Sequence, residues 1–166
     1  MLRLVRPDSP RLWAIARQLV EAYAASLDVD LGFQDFGREI ESLATDYGPP
    51  GGCFLLAEHG SRFVGCGAFH TFAPSRCEMK RLYVMPEMHG RGIGRALAQA
   101  LIEDARHRGY HTMLLDTLPS MKAAVALYVS LGFRATAAYR YNPVPGAIFL
   151  ERPLRSSSRR TASGEA

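Results

Sequence analysis

Apolar residues in the N-terminal part of the chain recur at helical spacing. Leu12, Ile15, Ala16, Leu19, Val20 and Tyr23 fall on one face of the segment 9–25, with Ser9 placed as an N-cap ahead of Pro10. Before it, "LRLVR" reads as a short strand ended by Pro7. The stretch "SLDVDLGFQDF" breaks the pattern and reads as a loop. It is followed by a second helix over roughly residues 35–46 and by the punctuation of "YGPPGG". The pattern then becomes strand-like in "CFLLAEHG", "RFVGCGAFHTF" and "CEMKRLYVM". Short turns at His59-Gly60-Ser61 and Ala73-Pro74-Ser75 make an antiparallel meander the simplest arrangement for these runs.

Helical periodicity returns over residues 91–108, where Ile93, Leu97, Ala100, Leu101 and Ala105 share a face and Gly109 stops the helix. "YHTMLLDT" is a strand, and "PSMKAAVALYVSLGF" is a helix with proline at its start and Gly132 past its end. "FRATAAYRY" and "GAIFLERPL" read as a closing pair of strands around "YNPVPG". The predicted order is βααβββαβαββ, an α/β (α+β) arrangement without internal repeats. In it a central strand feeds the glycine-rich loop "MHGRGIGRAL" and the helix that follows.

A length of 166 residues suits one domain, and 48% apolar with 22% charged residues is a globular composition. No apolar run is long enough for a membrane span. The N-terminus is broken by Pro7, Asp8 and Pro10 where a secretory signal needs an apolar run, so a cytoplasmic protein without membrane attachment is expected. Cys53, Cys66 and Cys77 are odd in number and form no CxxC pair, which argues against both a disulfide framework and a metal site. After Glu151 the chain carries four arginines against one glutamate, so three of the four net positive charges sit in that short stretch. The body is therefore nearly neutral, and no nucleic-acid partner is expected. The expected organisation is one domain over residues 1–154 and a mobile basic tail over 155–166.

Glycines 90, 92 and 94 stand at the start of a helix, where unpaired backbone N–H groups and the helix dipole favour anions, phosphates above all. Arg91 and Arg95 add charge-assisted donors. The spacing is neither that of a P-loop nor that of a dinucleotide fingerprint. Taken alone, the loop reads equally as a phosphate cradle or as a plain strand–helix connection.

The flanking residues decide between these. "MKRLYVMPEMHGRGIGRALAQALIEDARHRGY", with "ALYVSLGF" after the next strand, resembles the GNAT superfamily of acyl-CoA-dependent N-acyltransferases. The family signature (Gln/Arg)-x-x-G-x-(G/A), after a strand ending Val-x-Pro, is similar to His89-Gly90-Arg91-Gly92-Ile93-Gly94 after Val84-Met85-Pro86. The resemblance implies the GNAT fold, a mixed, mostly antiparallel sheet of about seven strands flanked by about four helices, and acetyl-CoA as cofactor. It implies that His89, Gly90, Arg91, Gly92, Ile93, Gly94 and Arg95 hold the pyrophosphate, and that the pantetheine arm pairs with the backbone of Leu82, Tyr83 and Val84. Two positions depart from the pattern: His89 stands in place of Gln or Arg, and Ser120-Met121 stands where the family often has Asn, with Ser120 as the substitute donor.

Acyl transfer to an amine needs a free amine, a stabilised oxyanion and a proton for the departing thiolate. The resemblance places Tyr128 as the proton donor; the other reading of that residue is a core tyrosine. Glu78 is the candidate base, acting directly or through water, and a salt bridge to Lys80, Arg81 or a neighbouring strand is its alternative. Strand parity puts Glu78, Lys80, Leu82 and Val84 on one face unless a bulge intervenes. Candidate acceptor-site residues are Phe33, Gln34 and Phe36, His70, and Tyr139, Tyr141 and Asn142, each also readable as ordinary packing. Lys80 and Arg81 point to an acceptor bearing a carboxylate or phosphate.

The leading expectation is transfer of an acetyl group to a primary amine of a small molecule within a ternary complex. Acetylation of a protein N-terminus or lysine is a second reading, and an acyl-CoA-binding sensor domain without catalysis a third. The resemblance also makes the last strand pair a place for homodimer formation.

Overall fold

A computed structural model of the chain describes residues 1–154, apart from the side chains of residues 33 and 34. The expected basic tail, 155–166, lies outside the described residues, as do the side chains of Phe33 and Gln34.

The first helix, α1 (Pro10–Ser26), begins where the sequence places it. The Ser9 Oγ accepts the Leu12 amide at 3.3 Å, and Ala16, Leu19 and Val20 are buried. The expected second helix is instead two short helices preceded by a 3-10 turn. A 3-10 turn at Leu31–Gln34 leads to α2 (Phe36–Glu41) and α3 (Leu43–Asp46). Asp35 sits between the first two with φ of +56°, a left-handed turn that redirects the chain.

Seven strands form one sheet: β1 (Leu2–Val5), β2 (Cys53–His59), β3 (Arg62–Ala73), β4 (Arg76–Val84), β5 (Thr112–Thr117), β6 (Arg134–Ala135) and β7 (Ile148–Pro153). Their spatial order is β1-β2-β3-β4-β5-β7-β6. The β2-β3-β4 meander is antiparallel, and only β4 and β5 run parallel. Between them lies α4 (Ile93–His107), and after β5 comes α5 (Lys122–Ser130).

Alternation along the strands builds a core on each face. Cys53, Leu55 and Ala57 pack with Leu97, Leu101 and Ala105 of α4, while Phe54, Leu56, Cys66 and Ala68 pack with Ala16, Leu19 and Val20 of α1. Gly65 and Gly67 let α4 come close: a Cβ on Gly67 would lie 2.9 Å from Leu101 and 3.1 Å from Leu82.

Two elements are shorter than the sequence suggests. The helix α5 starts at Lys122, not at Pro119, because Leu118–Met121 forms a turn closed by the Met121 amide on the Leu118 carbonyl. β6 keeps only Arg134–Ala135 of "FRATAAYRY", since the chain then leaves the sheet edge and turns inward.

β4 changes character midway. Cys66 faces Tyr83 and Ala68 faces Lys80, so Gly67 stands opposite two residues, a bulge in which Arg81 takes φ of +61°. The expected parity therefore holds only as far as Lys80. Beyond the bulge Leu82 and Val84 pack toward α4, and Tyr83 turns to the α1 face against Tyr23. On the other side, β4 pairs with β5 at Arg76, Cys77 and Glu78 alone. From Met79 onward the two strands splay apart.

Candidate active site

The gap between the splayed ends of β4 and β5 is the cleft of the molecule. Met79, Lys80, Arg81 and Leu82 form one wall, and Leu115, Asp116 and Thr117 the other. Tyr128 of α5 and Met121 close one end, while Tyr23, Leu27, Leu31 and Asn142 line the rest. The backbone edge of β4 along this gap has no strand partner, and unpaired peptide groups of that kind seek one.

The glycine loop sits where β4 runs out. Gly90 and Gly92 have φ of +79° and +78°, and a Cβ on either would meet nothing within 4 Å. Both glycines are thus required by the backbone turn, and the space above them is open. Gly92 is the N-cap of α4 and supplies no side-chain acceptor, so the first-turn amides are left for a ligand. Gly94 differs, since its φ is not positive and a Cβ there would make ordinary contact with Leu127 and Val84. Ile93 sends its side chain into the core and offers only its amide.

Three expected cofactor contacts are arranged differently from the reading of the sequence. His89 Nε2 lies 2.8 Å from the Val84 carbonyl, so this ring nitrogen caps the end of β4. Arg95 Nη2 donates to Ser130 Oγ on α5 at 2.8 Å. Ser120 is exposed in the turn before α5, whereas its neighbour Met121 lines the cleft. Arg91 is exposed at the loop.

Tyr128 is buried, its ring edge-on to Phe133, and burial together with the charge of Asp116 raises its hydroxyl well above the ordinary phenol value. The hydroxyl is therefore protonated at neutral pH and able to donate.

Glu78 has no solvent exposure. His70 Nε2 at 2.8 Å and Arg140 Nη2 meet its Oε1, and the Tyr139 hydroxyl donates to Oε2 at 2.7 Å. Burial alone would raise its pKa, but the His70 hydrogen bond, the charges of Lys80 and Arg140 and the Tyr139 hydroxyl together carry it below the usual value. Its carboxylate is a fixed anion behind the cleft, out of direct reach of a molecule in it.

Arg81 and Glu39 make a second buried charge site on the same face. Nε and Nη2 of Arg81 donate to the two carboxylate oxygens at 2.7 and 3.0 Å, and the guanidinium stacks between Tyr23 and Phe36. Burial opposes the charge of Glu39, but the bonds from Arg81 keep its pKa below the ordinary value.

Of the aromatic residues and histidine expected at the acceptor site, Phe36 lies under Arg81, while His70 and Tyr139 hold Glu78. Tyr141 is 75% exposed. None of these four lines the cleft. Among the residues that do and that the sequence does not single out are Asp116, Tyr23, Leu27 and Leu31. The signal for Asp116 was present, as a single carboxylate inside the apolar run "TMLLDT".

A glycine cradle at a helix start, a bulged strand splayed from a parallel neighbour and a buried phenol at the opening define an α/β acyltransferase site. The sequence model of the Acetyltransferase (GNAT) family matches residues 14–133, and the chain belongs to that family. An uncharacterised N-acetyltransferase of Schizosaccharomyces pombe is 42% identical over 137 residues, covering 81% of this chain and 83% of that protein. The Escherichia coli N-acetyltransferase YjgM, also uncharacterised, is 31% identical over 136 residues, 80% of each chain. Among solved structures, an N-acetyltransferase of Thermoplasma acidophilum in complex with coenzyme A superimposes with a TM-score of 0.68 over 92% of this chain and 99% of that one, at 17% identity. The protein is thus an N-acetyltransferase of GNAT type, and acetyl-CoA is its acyl donor. The residues present fit that donor: open space over Gly90 and Gly92 for the pyrophosphate, and the unpaired edge of β4 for the amide-bearing arm.

Proposed function

We propose that this enzyme acetylates a primary amine of a small molecule by direct transfer within a ternary complex. The observation that carries the reading is the cleft itself. It runs along the unpaired edge of β4 past Leu82, holds polar groups from Lys80, Asp116 and Asn142, and has Tyr128 in its lining. Bound acetyl-CoA supplies a thioester whose carbonyl carbon takes the amine and whose sulfur leaves as a thiolate.

The chain's own groups then have separate tasks. Amides 90–95 and Arg91 hold phosphate oxygens, and the bulged edge from Leu82 to Val84 aligns the arm. Tyr128 keeps a proton at its hydroxyl and gives it to the leaving sulfur as the new C–N bond forms and the C–S bond breaks. The proton lost by the amine restores the phenol by way of solvent. Glu78, set behind the cleft wall, anchors His70, Tyr139 and Arg140 beside it. Three unpaired thiols support a reducing cytoplasm as the place of action.

The test is purified enzyme with acetyl-CoA and a panel of amino acids, polyamines, aminoglycosides and peptides, followed by release of free thiol. Tyr128→Phe is expected to lower kcat about 100-fold with little change in the KM for acetyl-CoA. Turnover confined to protein or peptide amines, or unaffected by Tyr128→Phe, would count against the reading.

A further inference from the structure

The acceptor end of the cleft holds several charges, and most of them are already paired. Arg81 is held by Glu39 through two bonds. Glu78 is matched by Arg140, His70 and Tyr139. Two charges remain. Lys80 lines the cleft from β4, is 9% exposed, and forms no ion pair among the described residues. Asp116 lines it from β5, across the splay.

Asp116 is held in place without being neutralised. Its Oδ2 accepts from Asn142 Nδ2 at 3.1 Å, and Asn142 is fixed in turn by the Val144 amide on its Oδ1 at 3.0 Å. The other carboxylate oxygen has no protein partner among the described residues. Lys80 and Asp116 are not within ion-pairing distance of each other, so they present opposite charges from facing walls.

Lys80 is a buried charge without an ion-pair partner, which is costly, and a ligand that supplies the partner recovers that cost on binding, while Asp116 is only partly exposed. The two free charges are one positive and one negative, which matches a zwitterion. A phosphate dianion would bring excess negative charge beside Asp116, Glu78 and Glu39. The remaining lining toward α1 is Tyr23, Leu27 and Leu31, a mostly apolar wall.

We infer that the acceptor is an amino-carboxylate with an apolar side chain, its carboxylate on Lys80 and its amine beside Asp116. This rests on the acetyl-transfer reading above and narrows it to a substrate class. Asp116 sets the amine end at the β5 side of the splay, and Lys80 excludes amines that leave its ammonium unmatched.

The experiment compares leucine with isopentylamine and leucinamide, phenylalanine with phenethylamine, and both amino acids with phosphoethanolamine, in wild type and in Lys80→Met and Asp116→Asn. The amino acids are expected to show kcat/KM at least about 30-fold above their carboxylate-free analogues and above phosphoethanolamine. Lys80→Met should remove that advantage, lowering kcat/KM for the amino acids mainly through KM and raising it for the carboxylate-free amines, whose exclusion by the unmatched ammonium is relieved. Asp116→Asn should slow both kinds of amine. Equal or better turnover of the carboxylate-free amines or of phosphoethanolamine overturns this inference and leaves acetyl transfer standing. Absence of turnover with every amine overturns both.

Discussion

Arg81 Nε donates to Glu39 Oε2 at 2.7 Å, and Arg81 is also the residue that carries φ of +61° in the bulge of β4. The side chain that pays for this backbone is thus the one that ties the strand to α2. A left-handed conformation disfavours an L-residue, and the ion pair, itself stacked on Tyr23 and Phe36, holds the bulge in that state. Glu39→Ala should leave Arg81 buried without its partner and lower stability by about 3–5 kcal/mol in urea unfolding. Arg81→Lys, which keeps the charge but not the two-pronged bond, should recover only part of the loss. A change below about 1 kcal/mol in Glu39→Ala would show that the pair does not hold the bulge.

The two buried glutamates make acid stability a specific expectation. Glu39 and Glu78 both lie below the ordinary carboxyl value of 4.5 in the folded chain. Between their folded and unfolded values the unfolded chain binds more protons, so stability rises with pH there. Their contribution is complete above about 4.5 and is lost as pH falls through the depressed values. Glu78→Gln should be less stable than wild type at neutral pH, and its unfolding free energy should fall less steeply on acidification. Parallel acid profiles for the two proteins would contradict the assignment.

The three cysteines should be chemically silent. Burial pushes the thiols of Cys53, Cys66 and Cys77 up to about 12, and a neutral thiol is a poor nucleophile. Alkylation of the native protein near pH 8 should label none of them over the time in which urea-unfolded protein is labelled at all three. Rapid labelling of a native thiol would reopen a route through an acetylated enzyme.

In the glycine loop, Gly92→Ala introduces no steric contact, since the added Cβ meets nothing within 4 Å. It does force alanine to φ near +78°. The expected result is a stability loss of about 1–2 kcal/mol and weaker CoA binding by calorimetry. Gly94→Ala, at a position whose backbone conformation suits any residue, should be milder in both respects. If the two substitutions behave alike, the loop is a plain connection.

Much of this architecture was legible in the sequence because it is local. The α1 face, the two cores and the glycine turn follow from spacing within windows of a dozen residues or so. The parts that were not legible depend on distant partners. "FRATAAYRY" has the pattern of a strand, but Tyr139 and Arg140 leave the sheet edge to serve Glu78, 61 and 62 residues away in the chain. His89 looked like a phosphate donor because of its place in a motif, and nothing nearby in sequence announced the Val84 carbonyl as its partner. The lining of the cleft was only partly legible for a related reason. Aromatic residues in loops drew attention along with Lys80, while Asp116 comes to line the cleft only through the splay of two strands.

Direct acetylation of an amine can be followed in a single-turnover experiment with labelled acetyl-CoA, the acceptor amine and excess enzyme, quenched over time and read by mass spectrometry. Direct transfer requires acetylated amine and free CoA to appear together in equal amounts, with no acetyl group on the protein at any time. Acetylated protein that forms and decays before the amine product, or CoA release that proceeds equally without amine, would contradict it.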